Sequence, residues 1–153
     1  MLGKGHPAWM IDKSGQWWKG QNFEDLTEFI VAFSSHNYRA DEVRESRCGG
    51  CGATVFGMRV DDESGCAHRV CRGCGLAAFF GDSDEYWDEA DPGDAACPCG
   101  ADDFENGVGF SLRDTGEVRW ITVGARCVAC GVLGVYADWK IDYEPSRHLL
   151  EMT

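Results

Sequence analysis

Two short stretches, Cys48-Gly-Gly-Cys51-Gly52 and Cys71-Arg-Gly-Cys74-Gly75, decide how this chain folds. In each stretch two cysteines flank two residues, and a glycine follows at once. Such a turn places two thiolates where they can share a metal ion, and the glycine takes a backbone conformation that a side chain would obstruct. The two stretches are separated by 19 residues, a spacing typical of four-cysteine zinc sites. The pattern predicts one zinc ion held by both turns.

The same arrangement recurs downstream, in Cys97-Pro-Cys99-Gly100 and Cys127-Val-Ala-Cys130-Gly131, with 27 residues between the pairs. The first of these turns is one residue shorter, so the second site matches the zinc spacing less closely. An interleaved arrangement, in which the first pair shares an ion with the third, is an open alternative. The predicted cofactors are two structural Zn²⁺ ions, and the eight predicted ligands are Cys48, Cys51, Cys71, Cys74, Cys97, Cys99, Cys127 and Cys130.

Other uses of paired cysteines fit less well. Structural disulfides form in oxidising compartments, and the first fifteen residues contain no apolar signal-peptide segment, so we expect a cytoplasmic protein. A thioredoxin-like pair would open a helix in a βαβ unit, which the pattern does not predict. Iron–sulfur ligation is an alternative, although tight turns followed by glycine favour tetrahedral zinc.

The segments between the cysteine pairs form an internal repeat. Phe56 and Phe104 each lie five residues after the second cysteine of a pair. Around each of them an alternating segment, a polar turn and a second segment lead into the next pair, which is the signal of a β-hairpin. A further strand follows each unit. The predicted strands are 54–60, 66–70 and 76–80 in the first unit, and 104–112, 118–123 and 132–141 in the second.

This order of cysteine turns and strands resembles that of zinc-ribbon proteins, over about residues 48–143. The resemblance implies an α+β fold, mostly β, with two tandem zinc ribbons. Each ribbon is an antiparallel hairpin plus a third strand, and an N-terminal hairpin and helix form a cap. The predicted units are an N-terminal helical cap (1–47), a first zinc ribbon (48–81), an acidic linker (82–96), and a second zinc ribbon with a C-terminal strand and tail (97–153).

The cap has its own local signals. Asn22 is a good N-cap, and the acids at positions 24 and 25 favour the positive start of a helix. The apolar residues Leu26, Phe29, Ile30 and Phe33 then fall on one helix face. Upstream, tryptophan-containing segments at 9–11 and 17–18 flank a polar turn and predict a hairpin. We expect the cap to cover an apolar face of the ribbon sheets.

The linker and the start of the second ribbon form the most acidic part of the chain. Residues 82–105 contain ten acids and no Lys or Arg. A solvated connection is the simpler interpretation. The alternative is a docking surface for a basic protein, because aromatic residues lie among the acids. The predicted partner-binding residues are Asp84, Glu85, Tyr86, Trp87 and Asp88.

The overall charge restricts the partners. The formal net charge is −12, and eight thiolates with two zinc ions would make it about −16. This charge argues against nucleic acid as a partner. The basic candidates on the second hairpin are Arg113, Arg119 and Arg126. No apolar run approaches the length of a membrane span, so we expect no membrane association.

The sequence contains no recognisable catalytic motif, and we predict that the protein is not an enzyme. A catalytic zinc needs an open coordination position, which four cysteines would fill. Phosphate-loop, nucleophile-elbow, zincin and deaminase motifs do not occur. Cys66 and His68 lie two residues apart on a predicted strand and face one side, but we expect Cys66 to pack in the core and His68 to be exposed.

These observations predict a non-catalytic structural-zinc protein that acts as an acidic protein–protein interaction module. Small acidic proteins of this character include bacterial immunity proteins and antitoxins, which mask a basic target, and this is the specific version that we favour. The alternative is a zinc-ribbon factor associated with transcription or translation machinery, since zinc ribbons are common there. A zinc- or redox-responsive sensor is a third possibility. The sequence does not predict an oligomeric state.

Overall fold

The computed structural model describes residues 11–153. This part of the chain is mostly β, as predicted, and contains one α-helix and one antiparallel sheet. Helix α1 spans Phe23–Ser34. The strands are β1 (Glu42–Glu45), β2 (Phe56–Asp61), β3 (Cys66–Cys71), β4 (Ala77–Phe79), β5 (Gly93–Asp94), β6 (Phe104–Leu112), β7 (Val118–Cys127) and β8 (Leu133–Lys140). Strand β6 covers the same residues that the alternating pattern predicts.

Helix α1 begins where its cap signal predicts. The Asn22 side chain accepts a hydrogen bond from the backbone N–H of Asp25, and the Asp25 carboxylate accepts one from the backbone N–H of Gln21. These bonds satisfy donors that a helix start leaves free. Leu26 and Ile30 are fully buried, but Phe33 is 45% exposed. The prediction that Phe33 lies on the buried face is therefore wrong, because the buried stripe of the helix runs through Leu26, Ile30 and Ser34.

The two predicted ribbon units join into a single sheet. The strand order is β4-β3-β2-β6-β7-β8, and β1 also pairs with β6. The strand pairing between the two units consists of one residue pair, Phe56 of β2 with Phe104 of β6. Strand β1 pairs with β6 further along, where Glu42 lies opposite Phe110. The repeat in the sequence did not predict this junction, since alternation specifies the face of a residue but not its long-range partner.

The largest core contains residues from both units. Met58 and Ala67 of the first hairpin are buried in the same cluster as Phe110, Ile121 and Trp139 of the second. Two contacts hold the turn of the first hairpin against β8. The backbone N–H of Asp138 donates to the Asp62 carboxylate over 3.0 Å, and the Cβ of Trp139 lies close to Gly65. The first hairpin therefore folds over the second and closes the core between them.

Helix α1 lies against the other face of β6 and β7. Ile30 contacts these strands at Gly109 and Gly124, where an added Cβ would lie 2.7 and 2.6 Å from its side chain. The absence of side chains at these positions lets the helix approach the sheet closely. Around this contact a second cluster forms, which includes Ile11, Leu26, Ala40 and Leu133. As predicted, the helix covers an apolar face of the sheet.

The outer strand β8 is bordered by the segment that precedes α1. Asp12 and Lys19 pair in antiparallel fashion, and Lys19 also pairs with Val132. The backbone N–H of Leu133 donates to the carbonyl of Trp18 over 2.8 Å. This supports a hairpin-like turn at 12–19; Trp9 and Met10, which belong to the predicted hairpin, lie outside the described residues. Across residues 11–153, the one α-helix is too short to cross a membrane.

The predicted linker 82–96 contacts both units. It contains two 3₁₀ turns, Ser83–Glu85 and Trp87–Glu89, and the short strand β5, which pairs with β2. Asp82 is buried, and its carboxylate accepts hydrogen bonds from the Trp139 indole N–H (3.1 Å) and the Tyr143 hydroxyl (2.7 Å). This buried carboxylate attaches the start of the linker to β8 and the residues that follow it.

Candidate metal centres

Eight of the nine cysteines lie in two groups of four. Within each group the sulfur atoms are within 4.8 Å of one another. The first group is Cys48, Cys51, Cys71 and Cys74, and the second is Cys97, Cys99, Cys127 and Cys130. The interleaved alternative is not the arrangement found. All nine cysteines are free thiols rather than disulfides, so each group could hold a metal ion.

The first group is built from two turns of the same design. In the first turn the N–H of Cys48 donates to the carbonyl of Ala53, and the N–H of Gly52 donates to the carbonyl of Cys48, both over 2.9 Å. The second turn repeats these bonds from Cys71 to Leu76 and from Gly75 to Cys71. Each closing glycine has a positive φ, 76° at Gly52 and 81° at Gly75. The trailing glycines therefore serve the backbone role that the sequence predicts.

Backbone N–H groups in these turns point at the sulfur atoms. The N–H of Gly50 lies 3.3 Å from the Cys48 Sγ, and the N–H of Gly73 lies 3.3 Å from the Cys71 Sγ. Between the turns, the Cys48 and Cys74 sulfurs are 3.5 Å apart, as are those of Cys51 and Cys71. Each turn contributes one buried and one exposed cysteine, so one side of the group faces solvent.

The second group reaches a similar arrangement with the shorter turn. The N–H of Gly100 donates to the carbonyl of Cys97, three residues before it, whereas Gly131 bonds to Cys127, four residues before it. Across the turns the Cys97 and Cys130 sulfurs are 3.5 Å apart, and those of Cys99 and Cys127 are 3.7 Å apart. Removing one residue from the turn therefore does not prevent four sulfurs from converging.

Electrostatics within each group favour a cation. The backbone N–H groups of Cys51 and Gly50 lower the pKa of the Cys48 thiol to about 6. The N–H of Ala101 and the neighbouring Cys97 sulfur lower the pKa of Cys99 to about 7. Burial raises the pKa of Cys97 to about 12. At least one thiol in each group thus ionises more readily than a free cysteine, and a bound cation would promote ionisation of the others, because it offsets the repulsion between thiolates.

The two groups lie at the same end of the sheet. Cys71 is paired with Phe56, Phe56 with Phe104, and Phe104 with Cys127, on four adjacent strands. These four residues are at most 2% exposed. Since neighbouring strands are about 4.8 Å apart, the two cysteine backbones at the ends of this row are about 14 Å apart. The repeat in the sequence thus places its two cysteine groups in a symmetrical row.

Cys66 and His68 lie outside both groups. Cys66 is fully buried, as predicted, and burial, together with the charges of Asp61 and Asp82, raises the pKa of its thiol to about 11. His68 is half-buried rather than exposed, which corrects the sequence prediction. Its ring stacks on Trp87, and the Nε2 atom is buried without a hydrogen-bond partner. Burial and the charge of Arg59 lower its pKa.

The predicted partner-binding residues divide into two kinds. Asp84, Glu85, Tyr86 and Asp88 are exposed, and Tyr86 exposes 46% of its surface. Trp87 instead turns inward, where it stacks on His68 and makes an edge contact with Phe79. The structure therefore places four of these side chains on the surface and uses the fifth to attach the segment to β3 and β4.

The three candidate basic residues make internal contacts. Arg126 donates to the carbonyl of Gly20 (2.9 Å) and to the Glu105 carboxylate (2.8 Å). Arg119 donates to the Ser111 hydroxyl and lies over the Tyr38 ring. Arg113 donates to the carbonyl of Ile141 over 2.7 Å. Each guanidinium group thus has at least one partner within the fold, although the Nε atom of Arg119 is buried without a hydrogen bond.

Sequence reasoning did not identify three residues that support these sites. Asp82 anchors the acidic segment from within the core. Arg72, inside the second turn of the first group, donates to the Asp103 carboxylate beside the second group. Acids are common around Asp82 and Asp103, so composition gave no signal to distinguish them. Arg72 is one of the two residues between Cys71 and Cys74, and the local pattern gives no sign of its partner, which lies 31 residues further along the chain.

Comparison with known proteins adds no relative: the chain matches no protein-family model, no curated protein and no solved structure.

Proposed function

We propose that both cysteine groups hold structural Zn²⁺ ions. Each group offers four sulfur donors from two tight turns, which is the donor set of structural zinc sites. Backbone N–H groups that point at the sulfurs stabilise the thiolate form needed for binding. Four protein ligands leave no open position for a reacting water, so the zinc ions support the fold rather than catalysis.

On this metal-supported scaffold, we propose that the protein is a non-catalytic module that binds a basic protein through its acidic segment. The observation that carries this proposal is the exposure of Asp84, Glu85, Tyr86 and Asp88 on a segment attached at Asp82 and Trp87. A held segment loses less conformational entropy on binding than a free linker does. Exposed aromatic and acidic groups together suit a cationic protein surface.

The distribution of charge supports a protein partner over nucleic acid. Several arginines are directed at acids or carbonyls of the fold itself, including those at positions 44, 72, 113 and 126. The surplus of acids is left at the surface, and its field would speed association with a cationic partner. Inhibition of a basic toxin, in the manner of an immunity protein or antitoxin, is the specific form of this function that we favour.

The test is capture from a lysate of the source cells, with and without nuclease treatment, using matched variants. The first variant is Asp84→Asn, Glu85→Gln and Asp88→Asn together with Tyr86→Ala. The control carries the same charge change at exposed acids elsewhere: Glu28→Gln, Glu63→Gln and Asp114→Asn. We expect a basic protein to be retained by the wild type and the control, and lost by the first variant. Equal capture by all three, or capture that nuclease abolishes, would contradict the proposal.

A further inference from the structure

The two metal groups are connected by more than their shared sheet. Arg72 lies between Cys71 and Cys74 in a turn of the first group. Its Nε donates to the Asp103 carboxylate over 2.8 Å, and its Nη2 donates to the carbonyl of Asp102 over 3.2 Å. These two acids lie three and four residues after Cys99, a ligand of the second group.

The connection continues into the other turn of the second group. The carbonyl of Asp103 accepts a hydrogen bond from the backbone N–H of Val128 over 3.0 Å. Val128 lies between Cys127 and Cys130. Asp103 therefore joins a turn of the first group to a turn of the second, through its carboxylate on one side and its carbonyl on the other.

The fold makes room for this contact. The Arg72 guanidinium passes over Gly57 of β2, where an added Cβ would lie 2.6 Å from the Arg72 Cζ. The backbone N–H of Arg72 also donates to the carbonyl of Val55 over 3.0 Å. The arginine is thus held at both its backbone and its side chain, and it crosses the junction between the two units at the end of the sheet where both groups lie.

We propose that Arg72 is a positioning residue that couples the two metal groups, so that an ion in one raises the affinity of the other. This rests on the proposed zinc binding. An ion in the first group fixes the Cys71–Cys74 turn and with it Arg72. Arg72 then orders Asp102 and Asp103, and through them the Val128 turn, before the second ion binds. By thermodynamic reciprocity the second ion has the same effect on the first group.

The coupling has a measurable signature. If the two sites are independent, at least half of the molecules are singly loaded at an average of one bound ion per chain, whatever the affinities of the sites. A tenfold coupling between equal sites lowers that fraction to about a quarter. We expect the protein to pass from the metal-free to the two-ion form with little of the one-ion form between them.

The experiment is native mass spectrometry of the full chain, kept reduced, during titration of the metal-free protein with Zn²⁺ alone. The wild type should show a singly loaded fraction well below one half. In Arg72→Ala the coupling factor should fall about threefold, as expected for the loss of one partly exposed ion pair. The singly loaded fraction should therefore rise. Arg72→Lys, which keeps the charge but loses the forked geometry, should give an intermediate value.

Arg47→Ala is the matched control. Arg47 also neighbours a ligand, Cys48, but its ion pair is with Glu45 and does not reach the second group. It should behave as the wild type does. Should Arg72→Ala fail to fold, Asp103→Asn tests the same link from the other side. Identical fractions in the wild type, Arg47→Ala and Arg72→Ala, or a wild type that is mostly singly loaded, would overturn the coupling. Failure of the wild type to bind zinc would overturn the proposed metal sites instead.

Discussion

Trp87 lies against His68, with ring centroids 4.4 Å apart and ring planes inclined by 26°. This stack joins the acidic segment to β3, and Phe79 of β4 contacts both rings. Together with the hydrogen bonds to Asp82, this stack fixes the position of the segment that the sequence predicts to be a linker.

Replacement of Trp87 by alanine should release the acidic segment without unfolding the sheet. The variant loses an aromatic stack and part of a half-buried side chain, so we expect a loss of about 1–2 kcal/mol in unfolding free energy. Hydrogen exchange should quicken in residues 82–91. Tyr86→Ala, at the exposed neighbour, is the control and should leave both quantities near the wild type. Unchanged exchange in Trp87→Ala would show that the stack does not hold the segment.

Protonation of His68 should destabilise the fold. Its pKa in the folded protein is lowered by burial and by Arg59, so below the ordinary histidine value of about 6.5 the unfolded chain binds more protons. Stability is therefore complete above that value and falls as the pH falls through it. His68→Phe keeps a ring against Trp87 and removes the titration. In denaturation experiments with excess zinc, the stability lost by the wild type between pH 7.5 and 5.5 should exceed that lost by the variant; parallel curves would refute this.

Substitution of one buried ligand should remove one metal ion. Cys71→Ser takes a thiolate from the first group, and the loss of structural zinc removes folding free energy directly. We expect one zinc ion per chain instead of two, with a large drop in thermal stability. The control is Cys66→Ala, which alters the cysteine outside both groups and should retain two ions. Two ions in Cys71→Ser would show that this cysteine is not a ligand.

A methyl group at Gly124 should push α1 away from the sheet. The new Cβ would lie 2.6 Å from Ile30, and overpacking of this kind costs about 1–3 kcal/mol. Ile30→Ala destabilises the core on its own, but combined with Gly124→Ala it should cost less than the sum of the two single losses, since it empties the space that the methyl group needs. Gly93→Ala, where nothing lies within 4 Å, is the matched control. Additive losses in the double variant would indicate that the two residues do not compete for space.

Local features of this fold could be predicted from the sequence. Asn22 and Asp25 form the expected helix start because a cap depends on residues within one turn. The extent of β6 follows from its alternation, which reflects a face that is buried along the whole strand. The four turns that hold the cysteines were also recognisable, since a thiolate pair followed by glycine has few other uses.

Features that depend on distant partners could not be predicted. The junction of Phe56 with Phe104 requires a register between two strands 48 positions apart, which alternation does not encode. His68 was expected at the surface because its own strand gave no sign of Trp87, which approaches from another segment. Phe33 fits the apolar face of α1, but the buried stripe runs through Leu26, Ile30 and Ser34 and leaves Phe33 exposed.

The outer strand β8 has a further consequence for the behaviour of this protein in concentrated solution. Exposed strand edges with free N–H groups recruit other chains and begin aggregation. Here the N–H of Leu133 is taken by Trp18 and the N–H of Asp138 by Asp62. These two bonds lie near the two ends of the strand and shorten the stretch on which a second molecule could add. We expect Asp62→Ala to lengthen the free edge of the sheet and to increase self-association at high concentration, which light scattering would measure.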